Sequence, residues 1–432
     1  MPQEDTPISL VKMAPRVAIV GAGPAGCTLA RILLNASMPV TIYEGEASPS
    51  FRSQGGSLDL HPQTGQAALK ECGLWEEFRK YARYDGEALA VYDKHMTLYI
   101  RAEGESEKTS RGRPEIDRGA LRMILVESLP AGTIQWGKRI KSIEKSKEEG
   151  HTLHFVDGTE ASNFDLLVGA DGAWSKVRPL VSDAQPYFAG IGGFDLLIRN
   201  AVETQPEISK LVNKGTVFSF SDGKGIGLQQ RGDGDITCYA WSTRGENWMH
   251  ECGYDVHDPV QVKAALKKLF EDWKEPLGSA PLLMDENSII PRSLYVLPIG
   301  HKWEHKPGVT CIGDAAHLMS PFAGEGVNLA MKDAMNLARA IEKAAAAENS
   351  RKNTLEDEVK AFEEEMFGRA GAIAALSQVQ LETMWFTPGA PRSTMQAWVQ
   401  QAIGGKNFDK WWFKLLLPQW LLRLVLRIIF RW

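Results

Sequence analysis

Three glycines in RVAIVGAGPAGCTLA (residues 16–30), Gly21, Gly23 and Gly26, stand at GxGxxG spacing, and Glu44 follows them by about 20 positions. Residues of these types in this order hold a dinucleotide. The first glycine makes a tight turn, the second lets backbone approach a pyrophosphate, and the third, next to Ala25, lets a helix lie close on a strand. The helix N-terminus then offers N–H groups and positive partial charge to the phosphates, while the Glu44 carboxylate accepts a hydrogen bond from a ribose hydroxyl. FAD and NAD(P) share such a unit, so the fingerprint leaves both open.

These residues act only if strand, turn and helix form around them, and the local sequence favours that. RVAIV is the apolar, partly β-branched run of a buried parallel strand, and PVTIYE (39–44) is a second strand ending on Glu44. Far downstream, GVTCIGDAAHLMSPFAGEGVNLAMKDAMNLA (308–338) begins as a strand and breaks at Gly313 and Asp314. It then runs through a loop holding Pro321, Gly324 and Gly326, and becomes a helix from about Val327. Between these stretches lies DLLVGADGAWSKVR (165–178), with Asp171. Residues 179–291 alternate as strands, GGFDLLIRN, GTVFSFSDG, IGLQQRG and ITCYAWSTR, which predicts a sheet over the nucleotide.

The GDAAH…P…G.G.N segment, the Asp-Gly segment and the opening fingerprint occur in the order found in the flavoprotein aromatic hydroxylases, the class A FAD monooxygenases, which this chain resembles. The resemblance implies an α/β fold: a glutathione-reductase-like FAD-binding Rossmann domain from residues 1–180 and 285–350, an inserted β-sheet substrate domain at 181–284, and C-terminal helices at 351–432. It implies non-covalent FAD, NADPH or NADH as a transient reductant, and O2 as co-substrate. Oxygen would add at the flavin C4a as a hydroperoxide before transfer to the substrate. Asp171 would lie near the flavin pyrophosphate. Asp314, at a strand end, suits a ribityl hydroxyl, and Pro321, Gly324, Gly326 and Val327 would turn backbone N–H groups toward the flavin's carbonyl edge. The cofactor carries the hard step, so no catalytic acid or base is assigned, and His317 is read as a structural histidine.

GGSLDLHPQTGQ and PEIDRGALR are most similar to the tetracycline-inactivating TetX branch, a likeness covering about residues 15–385. By position it makes Arg52, Asp59 and Arg118 cofactor contacts. Gly45 replaces the arginine that follows the ribose glutamate in that branch, and Asp171–Gly172 keeps the wider family's form. The polar residues that grip tetracycline fall near Phe194, Thr216 and Thr237. A flatter, largely apolar aromatic or polycyclic substrate is therefore expected, such as a polyketide- or alkaloid-like molecule, packed by Phe194, Thr216, Phe218, Thr237, Tyr239, Phe322, Met384 and Trp385.

Bulk properties narrow the partners. A net charge of −5, without a basic segment before the C-terminus, argues against nucleic acid and for a small-molecule substrate. Five cysteines show no CxxC or Cys/His spacing, which suits a reducing compartment with no metal and no disulfide. With no apolar run near the N-terminus, a cytoplasmic monomer or weak dimer is expected. The terminal stretch WWFKLLLPQWLLRLVLRIIFRW (411–432), with Arg423, Arg427 and Arg431 on one stripe, is too interrupted to span a bilayer. It reads as a peripheral membrane contact or as a helix docking on the body.

Overall fold

The computed structural model describes residues 14–49, 55–104, 106–107, 110–145, 150–347 and 351–395. Arg52 and the 411–432 segment lie outside the described residues. β1 (Val17–Val20) is buried along its whole length and is followed by α1 (Pro24–Asn35), whose proline sits in the first turn, where a missing N–H costs nothing. β2 (Val40–Tyr43) pairs in parallel with one edge of β1 and the strand Leu166–Gly169 with the other. Val309–Cys311 and Ile134–Gln135 complete a five-stranded parallel sheet. In such a sheet ligands bind beyond the carboxyl ends of the strands. Gly21, Asp171 and Asp314 follow the carboxyl ends of three strands in this sheet, which lie side by side.

α2 (Arg118–Glu127) leads from the two-stranded ribbon Ser57–Asp59 and Glu115–Asp117. The substrate sheet has seven strands and draws on more chain than 181–284. Its order is Ile290–Val296, β3 (Tyr187–Ile198), β6 (Ile236–Thr243), β5 (Lys224–Gln230), β4 (Thr216–Ser221), Leu89–Tyr92 and Leu98–Ala102. The edge of β4 takes in Leu89–Tyr92 in parallel, Thr216 opposite Leu89. That pairing joins residues far apart in the chain, and nothing local announces it.

Alternation along the strands gives this sheet two faces. Phe194, Leu196, Val217, Leu228, Cys238 and Ala240 form one core with Ile208, Val212, Val262 and Leu266 of the helices Pro206–Val212 and Pro259–Leu269. Asp195, Tyr239, Trp241, Gly227 and Phe218 lie on the opposite face. α3 (Gly326–Ala346) and the long α4 (Arg351–Leu381) close the molecule. A single π-helical turn, Glu382–Phe386, ends α4 and sets Met384 and Trp385 into a cluster with Val91, Ile191 and Phe220. Among the described residues, no helix is long and apolar enough to cross a membrane.

Candidate cofactor and substrate site

Gly21 adopts φ +105°, and a Cβ there would sit 2.4 Å from the Ala170 carbonyl oxygen and 3.0 Å from the Asp171 Cα, so the first glycine lies directly on the Asp-Gly segment. Gly26 faces inward: a Cβ would come 2.1 Å from the Gly21 carbonyl oxygen. A Cβ at Gly23, by contrast, would meet nothing within 4 Å. The middle glycine thus borders open space at the start of α1, a cradle that a pyrophosphate fits. Glu44 holds the turn from below, its carboxylate accepting from the Ala22 N–H at 2.6 Å and the Glu46 N–H at 2.8 Å. Ala25 lies beside Gly313, where an added Cβ would be 3.6 Å from Ala25 and 3.1 Å from Ala330 of α3. Gly313 therefore joins the two nucleotide motifs across nearly the whole chain.

Asp314 is open at the cleft surface, yet enough protein surrounds it that burial raises its carboxyl pKa, opposed by the charges of His317 and Arg118. Asp171 is also raised by burial, while its carboxylate accepts from the Lys176 N–H at 2.7 Å. Arg178, fully enclosed, donates to the carbonyls of Ala173 (2.9 Å) and Ala315 (3.2 Å), tying the Asp171 loop to the Asp314 turn. His317 is bound to the buried Asp333 at 2.6 Å, which also accepts from Gly313 N–H and Arg369. That network makes His317 a scaffold residue, as its sequence context suggested.

Two further residues close the site. Asn328, wholly buried in the first turn of α3, accepts from the His61 N–H (2.9 Å) and donates to the Asp59 carbonyl (2.9 Å). The His61 ring bridges the carboxylates of Asp59 (2.8 Å) and Glu325 (3.2 Å). Asp59 lies against Gly324, which takes a left-handed φ of +68° that frees the loop to turn into α3 after Pro321. A Cβ at Gly326 would meet nothing within 4 Å, and Val327 follows in the same turn. Asn328 stood in the quoted motif but carried no role; His61 gave no signal beyond its place in LDLH.

On the substrate side, Phe322 approaches Trp241 at 6.3 Å between ring centroids and Trp385 at 5.7 Å, so the sheet and the end of α4 meet the loop at 321–326. Arg118 donates its backbone N–H to Gly56, over which the Tyr239 hydroxyl sits. Tyr239, its phenol pushed up to about 12 by burial, reaches Gln229, which also accepts from the Ser57 N–H at 2.9 Å. Thr216 and Thr237 are buried in the row through Gln229, Phe218 is exposed on the same face, and Met384 is buried near Trp385.

Phe194 is a correction. It is 0 % exposed, stacks edge-on against Trp248 at 5.5 Å, and faces the outer helices. Its neighbour Asp195 takes the inward position, opposite Tyr239. Asp195 accepts from Trp241 Nε1 at 3.1 Å and from Arg292 Nε at 2.8 Å, and burial raises its pKa against the pull of Arg292. The face over the cleft is thus less apolar than the sequence suggested. It carries an ion pair, an amide and a phenol among its aromatic rings.

A family model described as "FAD binding domain" matches residues 15–370. The chain belongs to this family. It is 31% identical over 377 residues to the monooxygenase asqM of Emericella nidulans, covering 76% of this chain and 84% of that one. To the monooxygenase penA of Penicillium thymicola it is 29% identical over 402 residues, covering 82% and 92%. Its fold is similar to that of the tetracycline destructase Tet(55), with a TM-score of 0.67 at 18% identity over 91% and 95% of the two chains. The chain is an FAD-dependent monooxygenase. The open cradle at Gly23, the Glu44 carboxylate and the cleft-facing Asp314 fit FAD in that role.

Proposed function

We propose that the protein uses NADPH or NADH to oxygenate a small aromatic or polycyclic molecule with a polar edge, in secondary metabolism or the modification of foreign compounds. FAD, when bound, supplies the two-electron chemistry that accepts hydride and activates O2. The chain's own residues do the rest. Gly21, Gly23, Gly26 and Glu44 would hold the adenosine and pyrophosphate, Asp59, Arg118 and Asp314 the middle of the cofactor, and the N-terminus of α3 the flavin ring. The reading is carried by the meeting of Trp241 with Phe322, which sets the mixed polar and aromatic face of the sheet across from the cofactor loop. Such a face orients a planar molecule and keeps water from the reacting atoms.

The test is reduction of the FAD-loaded protein with NADPH or NADH without air, followed by oxygen and candidate substrates. One O2 consumed per oxygenated product is expected. Product formed without incorporation of oxygen from O2 would instead make this a flavin-dependent dehydrogenase.

A further inference from the structure

We propose that Asp195 is the residue that orients the substrate, and that it selects neutral aromatic molecules bearing an N–H or O–H donor over aromatic carboxylates. The proposal rests on the monooxygenase reading and names the substrate class of that same cleft. Strand register puts Asp195 opposite Tyr239 on the inward face, beside Trp241. Its carboxylate has two fixed donors, Trp241 Nε1 and Arg292 Nε, one on each oxygen. An ionised carboxylate has about four lone-pair sites, so each oxygen can still accept one more hydrogen bond. The side chain is 19% exposed, enough for a ligand to reach it.

A carboxylate beside the rings of Tyr239 and Trp241 is costly to bury unless it is hydrogen-bonded. Its two partners hold it in one orientation without using it up. Arg292, 53% exposed, spends its Nε–H on Asp195, so its charge is largely balanced by that carboxylate. A substrate carboxylate would face Asp195 at close range, whereas a phenol, lactam or indole N–H would donate to it. Because sites built to hydrogen-bond a donor reject analogues that lack it, the discrimination falls on the donor rather than on ring size.

The experiment uses full-length, FAD-loaded protein and reads binding from the change in flavin absorbance and fluorescence, without turnover. The probes are naphthol, its methyl ether and the corresponding naphthoate, all substituted at the same ring carbon. Wild type should bind naphthol about ten- to a hundredfold tighter than either of the others. Asp195→Asn should retain FAD and weaken naphthol by a similar factor while leaving the ether within about threefold, a change of ratio that a merely structural role would not produce. Arg292→Gln, which leaves the carboxylate in place, should keep the preference for naphthol over the ether. Equal binding of all three probes, no binding of naphthol, or a preference for naphthoate that Arg292→Gln abolishes would each overturn the proposal. Should the monooxygenase reading fail, oxygen consumption would be missing while this binding preference remained.

Discussion

Gly26 and Gly23 occupy the same fingerprint, and the structure assigns them opposite penalties. A methyl at Gly26 would stand 2.1 Å from the Gly21 carbonyl oxygen and 3.2 Å from the Ile19 side chain. An ordinary contact needs roughly 3.3 Å, so α1 must move off β1 by about 1 Å, at a cost of about 1–3 kcal/mol typical of overpacking. The helix propensity of alanine returns about 1 kcal/mol at most. Gly26→Ala should therefore lose up to about 2 kcal/mol of stability, read as a lower urea midpoint. It should also bind FAD at least about tenfold more weakly, because the helix end no longer meets the pyrophosphate. Gly23 has φ −78° and ψ −179°, open to any residue, and empty space beyond its Cα. Gly23→Ala should leave the apoprotein's urea midpoint unchanged and still lose FAD affinity by about tenfold or more, since its methyl enters the space of the phosphates. Apoprotein reconstitution, followed by flavin fluorescence, measures both affinities. Wild-type FAD affinity and stability in Gly26→Ala, or early unfolding of Gly23→Ala with FAD affinity intact, would refute this account of the turn.

Glu363 is 1% exposed and accepts from Trp303 Nε1 (3.0 Å), His305 Nδ1 (2.8 Å) and Thr310 Oγ1 (2.8 Å), fastening α4 to the parallel sheet. Glu363→Ala strands those donors and should cost about 3–5 kcal/mol by urea unfolding; a loss under about 1 kcal/mol would show that the clasp is not needed. For His61, burial opposes the charge, but hydrogen bonds to Asp59 and Glu325 and their charges raise its pKa to about 9. The folded value lies above the ordinary value of about 6.5, so this contribution is fully present below that pH and lost as pH rises through about 9. The stability difference between wild type and His61→Asn should be ~1–2 kcal/mol at pH 6, after allowance for solvent screening at the partly exposed Asp59, and shrink toward pH 9.5. A difference that stays constant with pH would exclude the ion pair as its source.

The amino-acid order alone determined the local units. Gly21, Gly23 and Gly26 between an apolar strand and a helix, Glu44 at the end of the next strand, and the Gly313–Asp314 break before α3 are each written in a short local stretch of chain. Their physics is equally short-range: φ angles, close backbone approach and unpaired N–H groups. The meeting of these units at the carboxyl ends of one sheet's strands was legible only through their order and its likeness to a known family. Gly313 wedged between Ala25 and Ala330, and Arg178 bonded to Ala315, are contacts that no local pattern encodes.

Tertiary structure alone decided which substrate-sheet residues look into the cleft. In a sheet with one wet face, alternation of apolar and polar residues marks the inside. Here both faces are covered, one by the outer helices and the other by the cofactor cleft, so Phe194 and Asp195 could each be read as inward. A one-residue change of parity moves every side chain to the other face. Only the pairing of Phe194 with Ala240 and of Asp195 with Tyr239 puts the carboxylate, and not the ring, on the face that meets the loop at 321–326.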